Sequence, residues 1–293
     1  MKLTLVLTKP LRKIQFLNKY YLVIRGSLLF LIDYYSLCKL RLRRYIASPQ
    51  KQVDLIVSLT SFPARIDLAW IAIESIFLQD YCPSKVVLVL SEEEFPERKI
   101  PRNIERFAAR GLELIWISKS LRSYQKLIPV RERYPEKTII TVDDDVIYEP
   151  WRIKQLFEAA KFLEGSIIGH RGWVVTSKGE GFAPYNSWPP ADSQTSEKSC
   201  FLTGVGGILY PPNVLPSKYL LDMCLAHNLC PYADDIWFWA IAKKAGVARY
   251  CLGNHMLQRV KGLKRTPALH KLNRDEGMND WQLGAVTSYF KEN

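Results

Sequence analysis

Residues 53–90 read VDLIVSLTSFPARIDLAWIAIESIFLQDYCPSKVVLVL. The stretch opens with Val53 to Leu59, a short apolar run rich in β-branched residues, which predicts a strand. From Arg65 to Gln79 the apolar positions change period: Leu68, Ile71, Ala72, Ser75, Ile76 and Leu78 follow helical spacing. Lys85 to Leu90 returns to a continuous apolar run, a second strand. Outward from this unit the rhythm repeats. A helix is predicted over Pro101–Arg110 with Gly111 as its stop, a strand over Leu112–Ile117, a helix over Ser123–Arg133 and a strand over Lys137–Val142. Strands apolar on both faces and separated by helices predict a mainly parallel sheet covered on both sides, an α/β fold.

Beyond Pro150 the pattern predicts a helix to about Leu163, a strand over Ser166–Gly169, a helix over Asp234–Ala245, a strand over Val247–Leu252 and a short helix over Asp280–Tyr289. Residues 171–200 contain Gly179, Gly181, Pro184, Pro189 and Pro190 and read as a long loop or lid, a length usually tied to function. Composition agrees with a globular enzyme-sized chain: 293 residues, 48% hydrophobic, 24% charged, 15 Gly, 17 Pro and 6 Cys exclude a collagen, a coiled coil, a disordered chain and a disulfide-dense scaffold. The cysteines form no CxxC pair or zinc-like spacing. Scattered thiols without a signal peptide imply a reducing, cytoplasmic setting.

Charge divides the chain. Residues 1–50 carry ten Lys or Arg against the single acid Asp33, so nine of the twelve net positive charges lie there. The body, residues 51–293, is near neutral, which argues against a nucleic-acid partner. The appendage also holds apolar clusters at residues 20–24 and 28–32, but Arg25 and Asp33 interrupt them before they reach the roughly 18 residues a spanning helix needs. It is too long and aromatic for a secretory signal. Two readings stand: peripheral contact with the cytoplasmic face of an anionic membrane, or a helix docked on the body.

Candidate chemistry clusters at strand ends. Asp143, Asp144 and Asp145 follow directly on the strand ending at Val142, and ligands of open α/β sheets bind beyond the carboxyl ends of strands. Three adjacent carboxylates repel unless a cation or strong donors compensate. Alternate residues Asp143 and Asp145 can share one hard ion such as Mg²⁺ or Mn²⁺; the alternative is a solvated acidic turn. Asp234 and Asp235 open a later helix. Asp234 can serve as its cap, leaving Asp235 as a candidate general base. Thr60, Ser61 and Arg65 after the first strand suit a base, ribose or phosphate, or an ordinary turn. Lys126 is a candidate diphosphate contact or a surface residue. Thr203-Gly204-Val205-Gly206-Gly207 matches no phosphate-loop pattern and reads as close backbone approach to a sugar or acceptor. His170 and His227 read as structural or surface residues, and His255 or His270 is a candidate third metal ligand.

Taken in order, VSLTSFPARI, SEEEFP, RSYQKLIP, VDDDVIYEP, TGVGGILYPP and PYADDIWFWA resemble bacterial nucleotide-sugar glycosyltransferases of the GT-A fold over residues 53–290. The resemblance implies a DxD motif in which Asp143 and Asp145 hold the divalent ion on the sugar-nucleotide diphosphate, with Asp144 beside them. It further implies Asp235 as the base of an inverting reaction, and Thr60, Ser61, Arg65 and Lys126 as donor contacts. The implied donor is a nucleotide sugar, with UDP-sugars the first expectation, and the acceptor a saccharide or lipid-linked hydroxyl in cell-surface polysaccharide synthesis. Competing readings are a metal-dependent phosphoester hydrolase and a non-catalytic nucleotide-sugar-binding scaffold at the membrane.

Overall fold

The computed structural model describes residues 51–179, 181–253, 258–260 and 277–292, with Cys38 and Leu42. In chain order these form β1 (Lys51–Thr60), α1 (Ile66–Phe77), β2 (Tyr81–Ser91), α2 (Arg102–Glu105), β3 (Leu112–Ile117), α3 (Ile128–Arg133), β4 (Ile139–Thr141), β5 (Val146–Ile147), α4 (Arg152–Phe162) and β6 (Ile167–Gly169). There follow β7 (Gly172–Val174), β8 (Ser177–Lys178), β9 (Gly181–Phe182), β10 (Cys200–Leu202), β11 (Ile208–Tyr210), α5 (Ser217–Leu220), α6 (Met223–Leu229), α7 (Asp234–Lys244), β12 (Arg249–Cys251), β13 (Gln258–Arg259) and α8 (Met278–Glu292).

Seven strands make one sheet in the order β12-β6-β11-β4-β1-β2-β3. All pairings are parallel except those of β11, which runs antiparallel to both β4 and β6. This is the mainly parallel, helix-flanked α/β architecture that the sequence predicts. Alternation along β1 explains the two layers. Leu55, Val57 and Leu59 join a core with α1 and α4, while Ile56 points through the sheet to a second core with α3, α7 and α8. At roughly 25 cal/mol per Å² of apolar area, a strand buried on both faces contributes to both cores at once.

The chain path creates a crevice. From β1 it proceeds to β2 and β3 on one side, then returns to β4 on the other side of β1. The carboxyl ends of β1 and β4 thus flank a topological switch point, the place where open α/β sheets bind ligands.

Several elements depart from the sequence expectations. The helix predicted over 101–110 is only α2, followed by a 3₁₀ turn at Ala108–Arg110. Gly111 still ends the segment, in a left-handed conformation at φ +94°. The helix predicted over 123–133 is divided into a 3₁₀ turn at Arg122–Lys126 and α3, because Pro129 lacks an N–H and suits a first helical turn better than an interior. Residues 171–200 are not a free lid. β7 pairs with β10, β8 with β9, and Trp188 is buried edge-on against Phe201, ring centroids 5.6 Å apart, and Phe182, 6.1 Å apart. No helix among the described residues is long and apolar enough to cross a membrane.

Candidate active site

The switch-point crevice holds a bipartite set of charges. From the end of β1, Ser61 Oγ donates to Asp144 Oδ2 at 2.6 Å, and Arg65 NH1 lies 3.2 Å from Asp144 Oδ1 and 3.3 Å from Asp145 Oδ2. From the turn before α3, Lys126 Nζ lies 3.0 Å from Asp143 Oδ1 and 3.4 Å from Asp234 Oδ2. Asp144 and Asp145 share Arg65, while Asp143 pairs with Lys126. Asp143 is also the open member, its side chain 29% exposed against 7% and 9% for Asp144 and Asp145.

Asp234 is not the helix cap. The N-cap of α7 is Ala233, and the Asp234 carboxylate faces Lys126 instead. Asp235 accepts the Gly204 N–H on both oxygens, at 3.0 and 3.1 Å, from the 3₁₀ turn that separates β10 from β11. The Gly-rich turn closely approaches Lys126 and Asp235: a Cβ at Gly204 would sit 2.7 Å from Lys126 Nζ and 3.2 Å from Asp235 Oδ1.

Electrostatics follow from this packing. Desolvation and the neighbouring charge of Asp234 push the Asp235 carboxyl up to about 7, against the lowering effects of Lys126 and the Gly204 amide. Burial likewise raises Asp144 to about 6, with Ser61 and Arg65 opposing. Desolvation disfavours the charge on Lys126, yet Asp143, Asp234 and Asp235 together raise its pKa well above the ordinary lysine value. Lys126 is thus a buried ion-pair centre, 8% exposed, and not a surface residue.

Other predicted residues lie elsewhere. Thr60 is turned towards β2: its hydroxyl donates to the Val89 carbonyl at 2.9 Å and accepts from Gln125 Nε2. His170 is fully buried, 3.1 Å from the Arg152 carbonyl, and desolvation together with the Arg152 charge lowers it to about 4, so it is neutral and structural. His227 packs edge-on against Tyr124, ring centroids 5.5 Å apart. His255 and His270 lie outside the described residues, as do residues 1–50 apart from Cys38 and Leu42. Sequence reasoning missed Tyr148, whose hydroxyl accepts the Asp143 N–H at 2.7 Å and donates to the Val205 carbonyl at 3.3 Å, tying the acidic run to the glycine turn. The available signal was a tyrosine in an apolar turn, which needs a polar partner when buried.

Among the described residues, no group of three or more His, Cys, Asp or Glu is gathered as a metal cage. The donor chemistry nevertheless suits a hard cation. Five carboxylates here face two protein cations, and Mg²⁺-like ions take one or two carboxylates and complete their shell with water and substrate phosphates.

No protein-family model matches the chain, and no curated protein matches it in sequence. Three solved structures resemble it in outline. The 4-diphosphocytidyl-2C-methyl-D-erythritol synthase structure is 10% identical, covers 75% of this chain and 96% of its own, and gives a TM-score of 0.42. The CMP:2-keto-3-deoxy-manno-octonic acid synthetase complexed with CTP is 14% identical, with coverage of 79% and 100% and a TM-score of 0.41. Residues 1–349 of S. aureus TarS are 12% identical, with coverage of 70% and 59% and a TM-score of 0.43.

Proposed function

We propose that this protein is a metal-dependent glycosyltransferase, moving a sugar from a nucleotide-sugar donor to a hydroxyl of a saccharide or lipid-linked acceptor with inversion at the anomeric carbon. One observation carries the reading: the Asp143–Asp145 run and the Asp234–Asp235 pair, about 90 residues apart in sequence, meet around Lys126 at the switch-point crevice.

The roles follow from position. Asp235, part-buried and with its pKa near 7, is suited to take the proton of the acceptor hydroxyl at neutral pH. The acceptor oxygen then forms its bond to the anomeric carbon as the bond to the diphosphate oxygen breaks, the electron pair leaving with the nucleoside diphosphate. Arg65 and Ser61 hold Asp144 and Asp145 along the donor side, and Lys126 fixes Asp143 in the crevice. A divalent Mn²⁺ or Mg²⁺, held by Asp143 and Asp145, would neutralise charge on the diphosphate when bound. The Gly204 amide holds both oxygens of Asp235, and the Lys126 charge lies near enough to favour its ionised form.

Thermal unfolding of the full chain against a panel of nucleotides and nucleotide sugars, with Mn²⁺ or Mg²⁺ and again with chelator, tests the donor half. A ligand at about 100 times its dissociation constant adds roughly 2.7 kcal/mol, so a metal-dependent shift confined to one nucleotide class is expected. A folded sample that responds to none overturns the reading. For the base, Asp235→Asn is expected to retain that shift while turnover falls about 10²- to 10⁴-fold; wild-type turnover would remove Asp235 from the role.

A further inference from the structure

Where β4 and β11 part, one hydroxyl holds both chains. The two strands pair antiparallel from Tyr210–Ile139 to Ile208–Thr141, and that register carried two residues further would set Gly206 opposite Asp143. The chain leaves the strand before that point. Gly204–Gly206 form a 3₁₀ turn, closed by the Gly206 N–H on the Thr203 carbonyl at 3.3 Å and the Gly207 N–H on the Gly204 carbonyl at 2.9 Å. Gly207 then adopts φ +87°, which suits glycine and few other residues. The Tyr148 hydroxyl spans the two chains there, accepting the Asp143 N–H at 2.7 Å and donating to the Val205 carbonyl at 3.3 Å. A phenol can do both at once because it carries one O–H and free lone pairs.

The hydroxyl is itself held from α1. The Tyr148 N–H donates to Ser75 Oγ at 3.0 Å, and the Tyr148 carbonyl accepts from Gln79 Nε2 at 3.3 Å. The side chain is buried in the core layer that also holds Val142, Val146 and Val205. Its two hydroxyl partners are the main chains of the two halves of the site. Asp143 belongs to the donor side, and Val205 follows Gly204, whose amide holds both oxygens of Asp235. Because the turn is closed by its own hydrogen bonds, a displacement at Val205 is carried to Gly204. Lys126 links the same halves through the charged side chains of Asp143 and Asp234. Tyr148 links them through the backbone, which sets a distance and not a charge.

Distance matters for the proposed step, because the acceptor oxygen must reach the anomeric carbon while the base reaches its proton. A misplacement of about 1 Å can cost about 10²-fold in rate. We infer that Tyr148 is a positioning residue of the transfer step, its hydroxyl setting the spacing between the donor-side Asp143 and the proposed base Asp235. The inference rests on the transferase reading for what the two carboxylates do, and on the hydrogen-bonded bridge for how they are spaced.

The test uses the full chain with Tyr148→Phe, which keeps the ring and removes the hydroxyl. The first readout is the amide NMR spectrum without ligand. The Asp143 and Gly204 resonances are both expected to move, the one through its lost bond and the other through Val205. An unmoved Gly204 amide overturns the bridge. The second readout is turnover, measured as nucleoside diphosphate released from the donor that the unfolding panel selects, with saccharides or water as acceptor. Here kcat is expected to fall about ten- to hundredfold while the donor KM stays within about twofold, because the bridge acts on the geometry of the step and not on ground-state binding. A merely structural tyrosine would lower the melting temperature and leave kcat per folded molecule unchanged. That result, or a raised KM with kcat kept, overturns the positioning role. If Tyr148→Phe melts below the assay temperature, Ser75→Ala takes its place. It removes the acceptor of the Tyr148 N–H and is expected to lower kcat by a smaller factor at unchanged KM; an unchanged kcat there also overturns the role. Failure of the transferase reading is distinguishable. A wild type that releases no nucleoside diphosphate from any donor removes that reading and the positioning role with it, while joint movement of the Asp143 and Gly204 amides leaves the bridge standing.

Discussion

Asp235 sits where burial, a like-charged neighbour and a lysine compete, and the outcome, a carboxyl near 7, has two measurable consequences. In catalysis, the acidic limb of the kcat/KM profile, which reports the free protein, is expected to rise about tenfold per pH unit up to about 7 and then level off. In stability the sign is opposite. A carboxyl whose folded pKa lies above its unfolded value contributes stability that is present below the ordinary carboxylate range and is lost as pH rises through the folded value. Asp235→Asn is therefore expected to gain stability relative to wild type between pH 4 and pH 8, read from urea midpoints at each pH; a constant difference would mean that the group is not raised. Lys126 makes the complementary case. Lys126→Met keeps most of the aliphatic length and removes the charge, leaving Asp143 and Asp234 without their shared partner. Breaking a buried pair from one side costs about 3–5 kcal/mol, so the urea midpoint at pH 7 is expected to fall accordingly, and an unchanged midpoint would mean that the site is wetter than its 8% exposure implies. The carboxylates of this site were legible in the sequence because DDD directly follows a strand, at the end where open α/β sheets bind ligands. Their pairings were not: Ser61 reaches Asp144 across 83 residues of sequence, and Arg65 reaches it across 79. Contacts of that range are decided by the sheet order, which no local pattern records.

At the scale of elements, legibility tracked length. β1, β2 and β3 span 10, 11 and 6 residues, long enough for apolar runs to identify them, and α1 shows the helical period over three turns. β10 and β11 have three residues each, so a Gly-rich apolar run was all that could be read, and neither the antiparallel entry of β11 nor the turn that presents Gly204 to Asp235 followed from it. The β7–β10 pair carries a sharp test of this part of the fold. Gly172→Ala forces a Cβ to 2.5 Å from the Phe201 carbonyl oxygen, backbone that cannot swing aside, whereas a Cβ at Gly181, in β9, meets nothing within 4 Å. Overpacking of this kind costs about 1–3 kcal/mol, so Gly172→Ala is expected to lower the melting temperature by several degrees. Gly181→Ala is expected to stay within about 0.5 kcal/mol of wild type. Equal behaviour of the two would mean that β7 and β10 are not closely paired in solution.

For the whole molecule, the separation of charge from chemistry is the feature still to be used. Nine of the twelve net positive charges fall in residues 1–50, while the crevice of the body is acidic. A basic segment attached to an acidic site would be a poor arrangement for a freely diffusing polyanionic substrate, and a good one for holding the crevice over an anionic surface from which an acceptor projects. Each Lys or Arg near such a surface contributes about 1 kcal/mol, and the attraction fades beyond a Debye length of about 8 Å at physiological salt. The full chain is thus expected to sediment with vesicles containing phosphatidylserine and not with neutral ones, and to be released by about 1 M salt. Replacing Lys39, Arg41, Arg43 and Arg44 with glutamine in the full chain is expected to cut vesicle affinity by at least tenfold while leaving the metal-dependent nucleotide shift in place. If the substituted chain binds vesicles as well as wild type, electrostatic anchoring by residues 1–50 is excluded. If wild type binds neither vesicle, membrane contact through residues 1–50 is excluded.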